Sequence, residues 1–247
     1  DDKDGKDEKK EDGPEEPKLA VAQGLNRFVW DLRHAQASSF PGMILWSGKP
    51  SQPRVLPGDY QARLTVGAKV LTVPVRVLAD PRVQATAQDL EAQERFLLEV
   101  RDRLTAAHDA IRRIREVRSQ LDGIRGRLKA IEGQVGKQEL LDAAQELDRQ
   151  MTAVEEALYQ TKNKSPQDPL NHPIRLTDKL NALGVSAATG DARPTDQQMA
   201  VQARLSAAID AELARLAAIW ETTLPAWNEL AQKSGLAAVT SPAPRLK

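Results

Sequence analysis

The stretch Leu97-Leu-Glu-Val-Arg-Asp-Arg-Leu-Thr-Ala-Ala-His-Asp-Ala-Ile-Arg-Arg-Ile114 decides the architecture of most of this 247-residue chain. Its apolar positions are separated alternately by three and four residues: Leu97, Val100, Leu104, Ala107, Ile111 and Ile114. In a helix this spacing places the apolar side chains in one seam along one face. The stretch therefore predicts a long amphipathic helix with a buried seam.

The same pattern continues beyond Ile114 after one slipped step of two successive three-residue spacings, which locally overwinds a coiled coil. The further seam positions are Val117, Leu121, Ile124, Leu128 and Ile131. Because no proline lies between Arg82 and Ser165, a continuous helix is predicted from Gln88 to Ile131, about 66 Å long at ~1.5 Å per residue. Residues 132–136, Glu-Gly-Gln-Val-Gly, predict the turn of a helical hairpin.

Further helices are predicted after this turn. The second helix carries a heptad seam of Leu140, Ala144, Leu147, Met151, Val154 and Leu158, and the prolines of 165–173 end it. A short helix over 175–183 and a loop over 184–193 lead to an N-cap at Thr195. The third long helix carries Leu205, Ile209, Leu213, Leu216 and Trp220, and Pro225 is predicted to kink it or to restart it near Trp227 and Leu230. Residues 86–236 are therefore predicted to form an elongated, antiparallel, coiled-coil-like three-helix bundle, and 237–247 a flexible tail.

The N-terminal third has a different period. Phe28, Trp30 and Leu32 alternate with other residues in the period of two that is typical of a half-buried strand. After the turn signal Pro57-Gly58, a second alternation comprises Tyr60, Ala62, Leu64 and Val66, and a third strand is predicted over 69–78. The short connection 66–69 predicts a hairpin. Residues 19–84 are thus predicted to form a small Ig/fibronectin-like β-sandwich held by Trp30, Tyr60 and Trp46, which makes the fold class α+β in separate domains.

Charge and composition exclude several classes. The chain has 35 basic and 35 acidic residues and no cysteine, so nothing global favours nucleic acid or an anionic membrane, and thiolate chemistry is excluded. No run approaches the roughly 20 apolar residues that span a bilayer. Residues 1–18 are almost wholly charged and are predicted to be a disordered linker. The lack of cysteine is consistent with export to the periplasm or outside the cell.

Three motifs carry a resemblance to a known family: N-R-F-x-W-D-L-R, P-G-x-Y-x-x-R-L and D-P-R, in that order. The matching residues are Asn26, Arg27, Phe28, Trp30, Asp31, Leu32, Arg33, Pro57, Gly58, Tyr60, Arg63, Leu64, Asp80, Pro81 and Arg82. With them the chain resembles the C-terminal region of sortilin-like, BNR-repeat bacterial "glycosyl hydrolase" proteins. The first part is also similar to the Ig-like module of flagellar hook-capping proteins. His34 departs from the family pattern, which usually has an aromatic residue there.

The resemblance implies an exported protein in which a sialidase-like β-propeller precedes a β-sandwich and a helical tail. The propeller of the same polypeptide would then be the first partner of this chain. The chain itself contains no propeller repeat and no Asp-box, and so lacks the region in which a glycosidase site of that family would lie.

No catalytic, cofactor or metal site is predicted from the residues. Asp31, Arg33 and His34 are interpreted as a strand with a surface ion pair, in preference to an acid–base cluster. The histidines, at 34, 108 and 172, lack ligand spacing. A basic run comprises Arg112, Arg113, Arg115, Arg118, Arg125, Arg127 and Lys129. Pairing of this run with Glu139, Asp142, Glu146 and Asp148 across the helical hairpin is favoured over phosphate binding.

Three functions stay open at this point. The first is a non-catalytic accessory region of the propeller protein, whose helices bind a protein partner or self-associate. The second is a stand-alone periplasmic adaptor or chaperone-like protein that grips clients through an exposed helical seam, and burial of Leu97, Ile111 and Leu121 would argue against it. The third is glycosidase activity in this chain, which would need two carboxylates facing one cleft, and no such pair can be nominated.

Overall fold

A computed structural model describes residues 22–130 and 136–242. Its strands are β1 (Gly58–Val66) and β2 (Lys69–Val77). Its helices are α1 (Ala87–Ala130), α2 (Lys137–Leu158), α3 (Leu176–Ala187), α4 (Asp196–Ala218) and α5 (Leu224–Lys233). A 3₁₀ turn covers Asp168–Leu170, and a π turn covers Ile219–Thr223 between α4 and α5. Residues 22–31 belong to one compact unit and residues 32–242 form another.

Helix α1 is the long helix that the apolar spacing predicts, and its extent is confirmed over the described residues. All of its predicted seam positions from Leu97 to Leu128 are buried, as are the seam positions of α2. The last predicted seam residue, Ile131, and most of the predicted turn at 132–136 lie outside the described residues. The core therefore runs along α1, where α2, α3 and α4 pack against it.

Local chemistry explains how the later helices begin and how closely they approach. Thr195 caps α4 as predicted: its hydroxyl accepts a hydrogen bond from the Gln198 amide, and the Gln198 side chain returns one to the Thr195 amide. The break predicted at Pro225 takes the form of the π turn, in which the Leu224 amide donates to the Ile219 carbonyl. Helix α3 continues to Ala187 through Gly184, where an added Cβ would lie 3.0 Å from Val100 Cγ1. A glycine at this position lets α3 approach α1 closely.

The predicted β-sandwich is wrong. The described residues contain one sheet, the two-stranded antiparallel pair β1–β2. Residues 28–32 form no strand, and Leu32 has a φ of 59°, which breaks an extended run. Within the described part of the chain, the residues that follow pair through an isolated bridge between Arg33 and Arg54 and form no named strand. An Ig/fibronectin-like sandwich over 19–84 is therefore replaced by a hairpin and long connecting segments.

The physical reason lies in residues 35–53, which carry Pro41, Pro50 and Pro53 and pack on the helices instead of pairing with strands. Proline supplies no amide hydrogen to a strand ladder. Phe40 is buried edge-on against the rings of His108 and Tyr159. The aromatic residue at position 40 thus contributes to the helical core.

Side chains of α3 satisfy the backbone of this connecting segment. Asp178 accepts hydrogen bonds from the backbone amides of Trp46 and Ser47, at 2.7 and 3.3 Å. Asn181 accepts one from the Ser51 amide at 2.8 Å and donates one to the Lys49 carbonyl at 3.2 Å. Backbone groups that lose contact with water need such partners. Two polar residues of α3 therefore supply hydrogen bonds that a neighbouring strand would supply in a sandwich. Trp46, predicted as a sandwich core residue, is half exposed.

The unit that contains residues 22–31 is held by a local turn. The Asn26 side chain accepts a hydrogen bond from the Ala22 amide and donates to the carbonyls of Ala22 and Gly24, at 2.9, 2.9 and 3.0 Å. Gly24 adopts a φ of 110°, which favours glycine. The first residue of the family motif thus has a structural role within its own turn.

His108 is buried in α1 and is held in one neutral form. Its Nδ1 lies at hydrogen-bond distance from the Ser38 carbonyl, which can only accept, so Nδ1 carries the proton. Its Nε2 is buried without a hydrogen-bond partner among the described residues. Burial lowers the pKa of His108 below its usual value, and the charges of Asp109 and Arg112 oppose each other nearby.

We expect acidification below about pH 6.5, the ordinary pKa of histidine, to destabilise the fold partly through His108. Because the folded-state pKa is lowered, the unfolded chain binds this proton first, so this contribution to stability is present above the unfolded pKa and is lost as the pH falls below it. Urea unfolding from pH 7.5 to 5 should show a flatter pH dependence for His108→Asn, whose amide can still donate to Ser38. Equal slopes for the two proteins would contradict this assignment.

Candidate interaction surface

The hairpin β1–β2 has a two-residue turn that its sequence specifies. Val66 pairs with Lys69, which leaves Gly67 and Ala68 as the central residues. Gly67 has a φ of 57°, whereas Ala68 does not have a positive φ. Positive φ at the first central position is the type II′ pattern, which matches the twist of the flanking strands. The predicted hairpin at 66–69 is therefore confirmed.

The strand register divides the hairpin into an apolar and a polar face. Cross-strand partners project to the same face of a sheet. The apolar face, defined by these residues, comprises Tyr60, Ala62, Leu64, Val66, Leu71, Val73, Val75 and Val77, with Lys69 opposite Val66 at its tip and Gly58 opposite Val77 at its base. The polar face comprises Asp59, Gln61, Arg63, Thr65, Val70, Thr72, Pro74 and Arg76. On the polar face, Arg76 forms an exposed ion pair with Asp59 at 3.5 Å. This is the two-sided pattern of a sheet that buries one face against a partner layer.

The apolar face is open toward the tip of the hairpin. Leu64, Leu71 and Val73 are 44%, 62% and 59% exposed, although such side chains each gain about 1.5–3 kcal/mol when fully buried. Among the described residues neither strand has a second strand neighbour. Contiguous exposed apolar surface of this kind marks interaction sites in soluble proteins.

A cavity of about 220 Å³ lies at the base of the hairpin, between it, helix α1 and the segment 188–191 that follows α3. Its walls include residues from all three family motifs: Leu32 and Arg33, Pro57, and Asp80. Leu90 and Leu97 of α1 contribute further apolar wall. The motifs, which are far apart in sequence, thus meet at one place, and mostly apolar side chains line it.

The polar groups around this cavity are already paired. Arg33 donates to the Gln52 carbonyl at 2.7 Å, and His34 Nε2 lies 2.7 Å from Glu94 Oε1. Arg54 pairs with Asp191 at 3.4 Å. Asp80 accepts hydrogen bonds from the Arg82 side chain and backbone, which hold the pKa of its carboxyl below the usual range. Each carboxylate has a basic side chain or an amide as its partner, so the geometry suits apolar contact better than acid–base chemistry.

The other motif residues lie outside this cavity. Tyr60 is half buried and donates its hydroxyl to the Leu56 carbonyl at 2.7 Å, which braces the base of the hairpin. Arg63 is exposed on the polar face, while Leu64 belongs to the apolar face. Phe28 is exposed and Trp30 is half buried within the unit that contains 22–31. Three residues of the surface and the cavity, Leu71, Arg54 and Asp191, lie outside the sequence motifs. Leu71 could have been found from the predicted hairpin, which places it opposite Leu64.

The three histidines do not converge on a metal site. His34 faces Glu94, His108 faces the Ser38 carbonyl, and His172 follows the 3₁₀ turn, where its amide bonds the Asp168 carbonyl. Over residues 22–130 and 136–242 no group of histidine and acidic side chains has the arrangement needed for a metal ion. Within the same ranges, none of the helices combines the length and apolar character required to cross a bilayer.

Comparison with known proteins adds no further constraint on the function of this surface. No family model matches the chain, and no curated protein or solved structure is significantly similar to it.

Proposed function

We propose that this chain is a non-catalytic accessory region of a larger exported protein, and that it binds the adjoining part of that protein through the apolar face of its hairpin. The observation that carries this proposal is the contrast between the exposed apolar side chains of the hairpin and the buried apolar seam of the helices. The motif resemblance supplies the partner, a β-propeller that precedes this region in the same polypeptide. A propeller blade is itself a twisted sheet, so its surface could form the partner layer that the hairpin lacks.

The helices favour this function over a chaperone-like grip. Leu97, Ile111 and Leu121 are buried at 4%, 0% and 0% exposure, so the seam that would have to hold a client is already filled by the neighbouring helices. A client-binding role would require the bundle to open. The hairpin needs no such rearrangement, because its apolar side chains are exposed in the folded chain.

The glycosidase alternative gains no support from the cavity at the base of the hairpin. Its acidic residues are Asp80, Glu94 and Asp191, and each is paired with a basic side chain. A glycosidase needs one carboxyl group kept protonated as an acid and a second one across a cleft. The lowered pKa of Asp80 is the opposite of what a general acid requires.

The test compares two neighbouring substitutions on the hairpin. Leu71→Glu places a charge on the apolar face, and Thr72→Glu places the same charge on the polar face one residue away. In the isolated chain, fluorescence of the apolar dye ANS should be reduced by Leu71→Glu and retained in Thr72→Glu. In the longer polypeptide that contains the propeller, hydroxyl-radical footprinting should show Leu64 and Leu71 protected relative to the isolated chain.

In that longer polypeptide, Leu71→Glu should undo the protection of Leu64, while Thr72→Glu should preserve it. Loss of a buried leucine contact worth about 2 kcal/mol shifts the docking equilibrium on the order of thirtyfold. Equal oxidation of Leu64 in the isolated chain and the longer polypeptide would refute the proposal. Circular dichroism of both variants checks that the helical body remains folded.

A further inference from the structure

The chain leaves α5 through a glycine turn that reverses its direction. Gly235 has a φ of 73°, and its amide donates to the Gln232 carbonyl at 3.0 Å. The Leu236 amide donates to the Ala231 carbonyl at 2.9 Å. This pair of bonds is the Schellman motif, which fixes the path of the chain after the helix. The described residues that follow, 236–242, are called the C-terminal strap below.

Two side-chain amides hold the backbone of the strap. Asn228 of α5 accepts a hydrogen bond from the Val239 amide at 2.7 Å and donates one to the Val239 carbonyl at 2.8 Å. Gln120 of α1 does the same for Thr240, accepting from its amide at 3.0 Å and donating to its carbonyl at 2.9 Å. Two consecutive residues are therefore each bound in bidentate fashion through the main chain.

Side-chain contacts add selectivity to this backbone recognition. Val239 is 1% exposed and belongs to the hydrophobic core. Two positions later, the Ser241 hydroxyl accepts a hydrogen bond from Arg113 Nε at 3.1 Å. The Arg113 guanidinium also lies 5.7 Å from the centre of the Trp220 ring. A segment seated here needs an aliphatic residue in the buried position and a hydrogen-bond acceptor two positions later.

These features describe peptide recognition, with main-chain hydrogen bonds for affinity and a side-chain pocket for specificity. The groups that bond the strap come from α1 and α5, and Trp220 of the π turn lies against the Arg113 guanidinium. The strap contributes no secondary structure of its own, and the backbone groups of Val239 and Thr240 bond side chains that any extended segment could use equally well. We propose that the groove between α1 and α5 is a binding site for extended peptides of the Val-Thr-Ser type, occupied in cis by the strap and able to accept the strap of a second copy of this chain.

Occupation in cis determines how this site can be observed. A tethered segment acts at an effective concentration in the millimolar range, so a free peptide competes poorly with the intact strap. Weakening the strap without altering the groove should uncover the site. Val239→Asp does this, because a buried carboxylate is disfavoured. Thr240→Pro also does it, because it removes the amide hydrogen that Gln120 accepts and restricts the backbone at positions 239 and 240.

The experiment is a fluorescence anisotropy titration of full-length variants with a labelled peptide of sequence Leu-Ala-Ala-Val-Thr-Ser-Pro, which stands for the strap of a second copy. We expect saturable binding to Val239→Asp, and binding at least tenfold weaker to the unaltered chain. Adding Gln120→Ala to Val239→Asp should weaken binding about 5- to 150-fold, because two hydrogen bonds of about 0.5–1.5 kcal/mol each are lost. A control peptide with aspartate in place of valine should not bind.

Circular dichroism decides which strap variant is used: if Val239→Asp does not fold, Thr240→Pro takes its place in the same titration. A folded strap variant that fails to bind the peptide would overturn the proposal. So would binding that is indifferent to Gln120→Ala or to the control peptide. Neither result bears on the hairpin, so this inference stands or falls independently of the proposed function.

Discussion

Replacing Trp227 with alanine is expected to lower the free energy of unfolding by about 3–5 kcal/mol, because it removes the largest fully buried side chain of the helical core. Trp227 is only 2% exposed, and its indole nitrogen donates to the Leu140 carbonyl at 3.4 Å. Its ring thus fills the space between α5 and α2, and the neighbouring helices can relax only partly into the cavity left behind.

For a domain of this size, 1 kcal/mol corresponds to roughly 2–4 °C in the melting temperature, so Trp227→Ala should melt about 6–20 °C lower. The matched control is Trp46→Ala, since Trp46 is 50% exposed and only its backbone amide bonds Asp178. We expect that variant to lower the free energy of unfolding by less than about 1 kcal/mol. Urea unfolding followed by far-ultraviolet circular dichroism measures both. Similar losses for the two tryptophans would mean that α5 does not complete the core.

The helical body could be predicted from the sequence because its determinants are local. The alternation of three- and four-residue spacings from Leu97 to Leu128 specifies one buried face whatever packs on it, and every one of those positions is buried. The Thr195 cap and the Gly67 turn are local in the same sense, since each depends on residues at most three positions away. Structures that depend on residues so close in sequence form in almost any tertiary arrangement, and can therefore be predicted.

The sandwich could not be predicted correctly because period-two alternation does not specify a partner. Phe28, Trp30 and Leu32 alternate as a strand would, but nothing local tells whether another strand lies beside them. The backbone of 46–51 bonds to Asp178 and Asn181, more than 125 residues away. These long-range polar contacts replace a sheet, and no motif signals them in advance.

The sequence predicts the chemical character of the candidate surface but not its exposure. Alternation at Tyr60, Ala62, Leu64 and Val66 predicts that one face of β1 is apolar, and the register confirms it. Whether that face is covered depends on the rest of the fold, and the described residues leave it open. The seating of the strap is even harder to predict from sequence, because two of its hydrogen bonds are made with Gln120, which is 120 positions away from Thr240.

Of the four acidic partners predicted for the basic run, Asp148 pairs with α1, and Glu155, which was not predicted, is the second acidic partner there. These pairs lead to the second large expected effect. Arg118 bonds Asp148 at 2.8 Å, Thr152 at 2.9 Å and Glu155 at 2.7 Å, three positions that span two turns of α2. Arg125 also reaches Asp148, at 3.4 Å. The partner position on α2 falls from Glu155 to Asp148 as the position on α1 rises from Arg115 to Arg125, so the two helices are antiparallel. Of the other predicted partners, Glu146 bonds Arg149 and Gln150 on its own helix, which lowers its pKa to about 2.

Glu155 makes this network sensitive, because its side chain is 3% exposed and its charge is balanced by Arg118 and Arg115. The Arg115 guanidinium in turn lies 4.6 Å from the centre of the Phe40 ring. Burial disfavours the Arg118 cation, yet the hydrogen bonds and charges of Asp148 and Glu155 more than offset this, and the pKa of Arg118 is raised. Removing one partner of a buried pair leaves a charge without compensation, which costs far more than the pair contributes when intact.

We therefore expect Arg118→Ala to lower the free energy of unfolding by about 2–3 kcal/mol, less than the full cost of a broken buried pair because Arg115 remains and Arg118 is 25% exposed. Arg118→Lys retains the charge but reaches fewer partners, and should lose about 1 kcal/mol. The double substitution Arg118→Met with Glu155→Met removes both charges, and should be less destabilising than the sum of the two single changes by 1 kcal/mol or more. Thermal and urea unfolding of the unaltered chain, Arg118→Met, Glu155→Met and the double variant measure this coupling. Strict additivity would show that the charges stabilise independently, and that the hydrophobic seam alone holds α1 against α2.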